Sequence, residues 1–215
     1  MTGLTKGQEY VLSVQTIATR EELPLSLESE VSESEVSRPY SKPSTPLLFT
    51  AEVLDRSLKL TWVAHIDDGG YNLDRYEIMY MESGTRNPWI TLIDVMPGLL
   101  IENLVNGVNY VFKLKSIRKN TELGIELSSL FSTIDATPLS TSTVPQNVSV
   151  EPLDKALKIS WDEPESDNGS IVTSYKLYLL NQSSQLTQTI TLDSTLREKQ
   201  LWLQMELNIW YHYLQ

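Results

Sequence analysis

One stretch of this chain returns about one hundred positions later with its Leu, Gly and Tyr at the same spacing. Leu4-Thr5-Lys6-Gly7-Gln8-Glu9-Tyr10-Val11-Leu12-Ser13-Val14 recurs as Leu104-Val105-Asn106-Gly107-Val108-Asn109-Tyr110-Val111-Phe112-Lys113-Leu114. A second set, Asp55, Leu58, Lys59, Leu60, Trp62 and Tyr76, is matched by Asp154, Leu157, Lys158, Ile159, Trp161 and Tyr175. A period this long, built from short alternating segments, marks an array of whole domains and not a solenoid of single hairpins. A unit of about one hundred residues is large enough to hold its own core. Divided by that unit, the 215 residues give two modules and a remnant, so at least one end is expected to be truncated.

The segments between the repeats read as strands and turns. Residues 1–38 look like the tail of a module: Gly3 to Gly7 turn, and Tyr10, Leu12 and Val14 alternate with more polar neighbours. Glu22-Leu23 and Glu122-Leu123 keep the same spacing. Ser26 to Val36 reads as one final edge strand whose glutamates discourage pairing with other chains. Pro39, Pro43 and Pro46 punctuate a semi-rigid linker at 39–44. Residues 45–137 read as one complete module. Leu58, Leu60 and Trp62 share a strand face, Asp67-Asp68-Gly69-Gly70 turns, and Tyr76, Ile78 and Tyr80 alternate. Trp89, Thr91 and Ile93 follow Asn87-Pro88, the run Leu99 to Leu104 crosses over, and Leu127 to Ala136 closes the module. A second linker at 138–143 leads to a partial module at 144–215. That module enters at Val144-Pro145 and turns at Asp167-Asn168-Gly169, with Leu177, Leu179, Leu186, Ile190 and Leu192 at strand positions. Short strands with turn signals every 8–12 residues predict an all-β antiparallel sandwich.

The order of marker residues resembles the fibronectin type III family. Pro46, Trp62, Tyr76, Leu104, Gly107 and Tyr110 stand in its positions in the complete module. Pro145, Trp161 and Tyr175 do so in the third, and Leu4, Gly7 and Tyr10 in the first. The resemblance implies tandem immunoglobulin-like β-sandwiches with Trp62 and Trp161 in the core. It also implies Tyr10 and Tyr110 as corner tyrosines bonded to nearby backbone.

The end of the chain departs from the pattern. A third Gly-x-x-Tyr turn is due near 206–209, where the chain reads Glu206-Leu207-Asn208-Ile209. Shifting the reading frame by one base turns Met205 and Glu206 into Gly, and Asn208 and Ile209 into Tyr or His. The same shift turns Trp210 and Tyr211 into Val, and His212 and Tyr213 into Leu. This restores the Gly107-to-Leu114 pattern and predicts a change of frame near 193–202.

Chemistry is sparse. The net charge of −11 opposes nucleic acid, which needs a basic patch. No apolar run approaches the length of a membrane span, so no membrane insertion is expected. Zero cysteines exclude disulfides, thiolate metal sites and a cysteine nucleophile. His65 has no neighbouring nucleophile motif, and no phosphate loop or zinc spacing is present. No catalytic, cofactor or metal site is expected. Asp67-Asp68-Gly69-Gly70 and Asp167-Asn168-Gly169 have the composition of tight turns and lack the alternating carboxylates of a calcium loop. Asn147-Val148-Ser149, Asn168-Gly169-Ser170 and Asn181-Gln182-Ser183 match the N-glycosylation acceptor pattern and tilt the compartment towards the outside of the cell, or a cell or particle surface. Trp89 and Tyr71 are expected at the rim of the sandwich, partly buried.

The expected function is a non-enzymatic protein-interaction or spacer segment, its partner a protein. The alternatives are accessory modules of a larger enzyme, such as a secreted polysaccharide hydrolase, or a fragment of a decayed gene.

Overall fold

A computed structural model describes residues 3–20, 23–64, 67, 69–70, 72–121 and 123–202. Every regular element among them is a strand, and all pairing is antiparallel. Two compact units emerge. The first takes in Met1–Glu52, Leu58–Ile101 and Asn109–Ala136, and the second Val53–Ser57, Glu102–Val108 and Thr137–Gln215.

Four short strands open the chain: β1 (Tyr10–Leu12), β2 (Ile17–Arg20), β3 (Leu23–Glu28) and β4 (Glu35–Ser37). β1 pairs with β4, and β2 with β3. Eight more follow: β5 (Leu47–Leu54), β6 (Ser57–Val63), β7 (Arg75–Glu82), β8 (Ile90–Ile93), β9 (Leu99–Ile101), β10 (Tyr110–Asn120), β11 (Ile125–Ser128) and β12 (Ser132–Ala136). They form one sheet of order β5-β6-β9 and another of order β11-β10-β7-β8, with β12 also on β10. Alternation makes β6 a strand: Leu58, Leu60 and Trp62 are buried while Lys59 and Val63 face water. Leu58, Leu60, Ile78, Phe112 and Leu114 are fully buried, so both sheets contribute to one core. Trp62 closes it edge-on against Tyr76 at 5.5 Å.

The last strands are β13 (Pro145–Leu153), β14 (Ala156–Pro164), β15 (Ser174–Leu180), β16 (Thr187–Asp193) and β17 (Glu198–Trp202). They give a sheet β13-β14-β17 and a pair β15-β16. Ile159, Trp161, Tyr175 and Leu192 form the core, and Trp161 meets Tyr175 edge-on at 5.5 Å, as Trp62 meets Tyr76. β13 turns into β14 through Asp154-Lys155, with Lys155 at φ 55°; Arg56 stands at φ 49° between β5 and β6.

The opening strands repeat the register of β10 with its partners. Ile17 faces Glu28 as Ile117 faces Ser128. What differs is burial: Leu12, Val14 and Ile17 are 57%, 73% and 60% exposed, whereas Phe112, Leu114 and Ile117 are at 0%. The opening strands thus show the apolar face that β10 covers.

The expected edge strand and the segment expected to close the complete module are each interrupted in the structure. Ser26 to Val36 is not continuous, because β3 stops at Glu28 and β4 starts at Glu35. Leu127 to Ala136 is likewise split between β11 and β12. The cause is the same in both. Ser29 N donates to Thr16 O (2.9 Å) while Ser29 Oγ accepts from Thr16 N (3.0 Å). Ser129 N donates to Ser116 O (3.0 Å) and Ser129 Oγ accepts from Ser116 N (3.1 Å). A serine hydroxyl has replaced a backbone acceptor in the ladder, which kinks the strand.

Candidate functional site

The most constrained polar geometry lies at the two linkers. In the first unit Gly7 N donates to Pro39 O (2.9 Å), Ser41 N to Gly69 O (2.9 Å) and Ser44 N to Asp67 O (2.9 Å). In the second, Gly107 N donates to Pro138 O (2.9 Å), Ser140 N to Asn168 O (3.1 Å) and Thr143 N to Ser166 O (2.9 Å). Each linker is therefore pinned on one side by a Gly-x-x-Tyr turn and on the other by the turn after a core-Trp strand. The side chains repeat as well. Ser44 Oγ accepts from Asp67 N (3.2 Å), and Thr143 Oγ1 accepts from Ser166 N (3.1 Å).

Glycine is required where these turns meet. All four glycines in contact are at positive φ, between 76° and 98°. A Cβ on Gly169 would lie 2.6 Å from both Cα and N of Gly107, and one on Gly70 would lie 2.7 Å from Gly7 N. One on Gly69 would lie 2.3 Å from Ser41 O. No side chain fits such distances, so backbone packs directly on backbone.

The aspartates are consumed by the turns themselves. Asp67 Oδ1 accepts from Gly69 N (2.8 Å) and Asp167 Oδ1 from Gly169 N (2.9 Å), each closing an Asx turn. Asp67 is also ion-paired with Lys6. Among the described residues, no group of three or more His, Asp or Glu side chains is placed to hold a metal ion.

Sequence reasoning passed over one residue. Arg118 on β10 is 2% exposed, and its Nη1 donates to Gly69 O at 2.7 Å. Its guanidinium lies 5.0 Å from the Tyr40 ring, so a buried cation holds both the linker and its docking turn. Ser116 Oγ adds a bond to Ser44 O (2.8 Å). The only signal was an arginine within an otherwise alternating strand, and alternation says nothing of what a long side chain reaches.

A second polar cluster covers the outer face of the β7–β10 pair. Lys113 Nζ sits 4.4 Å from the Trp89 ring centroid, and Lys115 Nζ 5.7 Å from that of Phe131. Lys115 pairs with Glu77 (2.9 Å), which also pairs with Arg75 (3.1 Å). Hydrogen bonds to Asp74, and then to Glu77 and Glu126, hold the Arg75 guanidinium well above its ordinary range. Trp89 is half-buried, as expected of the rim. Tyr10 behaves as a corner tyrosine: its hydroxyl accepts from Thr5 N at 2.8 Å. Tyr110 is buried. His65, Asp68, Tyr71, Glu22, Glu122 and the reading-frame segment beyond Trp202 lie outside the described residues.

No family model matches the chain. Among curated proteins it is 27% identical over 169 residues to ephrin type-A receptor 7 of Gallus gallus, covering 71% of this chain and 17% of the receptor. It is 24% identical over 167 residues to ephrin type-B receptor 5 of Gallus gallus, covering 71% and 16% respectively. The match thus spans about a sixth of either receptor. Among solved structures it is similar to a two fibronectin type-III domain segment from chicken tenascin, at 17% identity and TM-score 0.39, covering 74% of this chain and 83% of that one. The antiparallel sheets, the Trp–Tyr core pair and the Leu–Gly–Tyr turn that recur along the chain are features in which it resembles tandem fibronectin type III modules.

Proposed function

We propose that the chain is a non-enzymatic spacer and protein-interaction segment. Its layout is a remnant at 1–38, a linker at 39–44, a complete module at 45–137, a linker at 138–143 and a partial module at 144–215. The observation that carries this reading is the recurrence of the linker clasp. The same backbone bonds hold Pro39, Ser41 and Ser44 as hold Pro138, Ser140 and Thr143. A linker that merely joins independent domains has no need of close glycine contacts on both sides; one that transmits position does. The partner is a protein, met on exposed strand faces and loops, with no role for nucleic acid or membrane insertion. The likeness to the two receptors supports an array segment and carries none of their activity across, since it covers so little of them.

Hydrogen exchange tests the reading. The amides of Gly7, Ser41, Ser44, Gly107, Ser140 and Thr143 should exchange as slowly as neighbouring strand amides. Exchange at the rate of an open loop would remove the basis for a spacer.

A further inference from the structure

The three Asn-x-Ser sequences are alike as text and unlike in the fold. N-glycosylation needs the Asn side-chain amide and the serine hydroxyl two residues on to be available, and afterwards it needs room for a bulky sugar.

Asn147 and Asn168 are engaged at both ends of the motif. Asn147 Nδ2 donates to Asp162 Oδ2 (2.7 Å), and the Ser149 hydroxyl is 2.8 Å from that of Ser160. Asn168 Nδ2 donates to Thr141 O (2.8 Å), and Ser170 Oγ donates to Ser140 O (2.8 Å). Asn168 also stands within the second linker clasp, beside Gly169, where even a methyl group has no space. A glycan there would force the clasp open.

Asn181 is built differently. It sits in the exposed turn between β15 and β16, with Asn181 N donating to Leu186 O (2.9 Å). Its Oδ1 accepts from Ser183 N (3.0 Å) and Ser184 N (3.2 Å). The carbonyl end of the amide therefore fixes the turn, and Nδ2 donates to nothing among the described residues. The Ser183 hydroxyl is likewise unengaged among the described residues.

A second feature points the same way. Tyr178, Leu180 and Leu186, all near this turn, are 73%, 52% and 70% exposed. Tyr178 and Leu180 share one face of β15 by strand parity. An apolar cluster in water is a liability unless something covers it, and a sugar has an apolar ring face to lay on tyrosine.

We propose that Asn181 is an acceptor for an N-linked oligosaccharide, and that Asn147 and Asn168 in the folded chain are not. In the transfer, Nδ2 bonds to the anomeric carbon of a lipid-linked oligosaccharide diphosphate. The bond from that carbon to the diphosphate oxygen breaks with its electron pair, and one Nδ2 proton passes to the transferase base. The carbohydrate then lies over Tyr178 and Leu180. This does not depend on the spacer reading.

The test is to secrete the full chain from eukaryotic cells behind a signal peptide and to measure intact mass before and after peptide-N-glycosidase. One glycan is expected, mapped to Asn181 by the Asn-to-Asp conversion that the glycosidase leaves. Ser183→Ala should abolish it while keeping the turn bonds made by Asn181, and Ser149→Ala and Ser170→Ala should leave it in place. An unglycosylated wild type, or a glycan on Asn147 or Asn168 of protein that keeps its folded circular dichroism, would overturn the proposal. Binding of a hydrophobic dye should rise after the glycan is removed; no rise would refute coverage of the apolar cluster.

Discussion

Glycine at the linker turns is a residue-scale requirement with a built-in control. Gly84 also has a positive φ, 74°, yet a Cβ there would meet nothing within 4 Å. Gly84→Ala therefore costs only left-handed backbone strain, about 1–2 kcal/mol. Gly169→Ala adds the collision with Gly107. We expect proteinase K to cut within 138–143 several-fold faster in Gly169→Ala than in Gly84→Ala, and equal rates would show that the clasp is not what protects the linker. A different residue reports on the core. Burial, with a smaller contribution from Tyr110, raises the Tyr80 phenol above its ordinary range, and the Tyr80 ring stacks on Phe112 at 5.5 Å. A raised folded pKa contributes stability that is fully present below the unfolded value, about 10, and is lost as pH rises through the folded value. Absorbance titration should show one late-ionising tyrosine that disappears in Tyr80→Phe; a Tyr80→Phe curve that keeps the late step would assign it elsewhere.

At the scale of the element, β10 is the organising strand. It pairs with β7, β11 and β12, buries Phe112 and Leu114, and sends Arg118 to the first linker turn. A hydrogen bond from a buried charged donor contributes about 1.5–3 kcal/mol. Arg118→Lys keeps the charge but loses the planar fork and its stacking on Tyr40. Thermal unfolding should fall by that amount, with faster amide exchange at Ser41. Wild-type exchange at Ser41 in Arg118→Lys would mean that the linker is held by backbone bonds alone. The strands themselves were legible in sequence, because Leu58, Leu60 and Trp62 repeat with the period of a strand face. The breaks after Glu28 and Ser128 were not, because they depend on which carbonyl and amide a serine hydroxyl meets across the sheet.

Over the whole molecule, each compact unit has its own buried Trp–Tyr pair. Truncating a core tryptophan costs about 3–5 kcal/mol, a large share of the roughly 5–15 kcal/mol that holds a domain folded. Trp62→Ala should lower one calorimetric transition and spare the other, and Trp161→Ala should do the converse. If both mutants shifted a single common transition, the two cores would be one cooperative block. Among the described residues neither buried indole Nε1, of Trp62 or of Trp161, has a hydrogen-bond partner, so each tryptophan stabilises by packing and not by its polar edge.

Sequence alone determined the sandwich, the repeat and the core tryptophans. These follow from periodicity and from the size of side chains, which are properties of neighbours along the chain. It also showed that Asp67 and Asp167 belong to turns, since short polar side chains bond their own backbone two residues on. Only the tertiary structure decided the linkers and the acceptor asparagines. Pro39 meets Gly7, and Pro138 meets Gly107, across about thirty residues of chain. Asn168 Nδ2 is claimed by Thr141 O, whereas Asn181 is bonded through Oδ1 and its Nδ2 donates to nothing among the described residues. Hydrogen bonds are satisfied in space, and a three-residue motif carries no information about the distant carbonyl that will claim its amide.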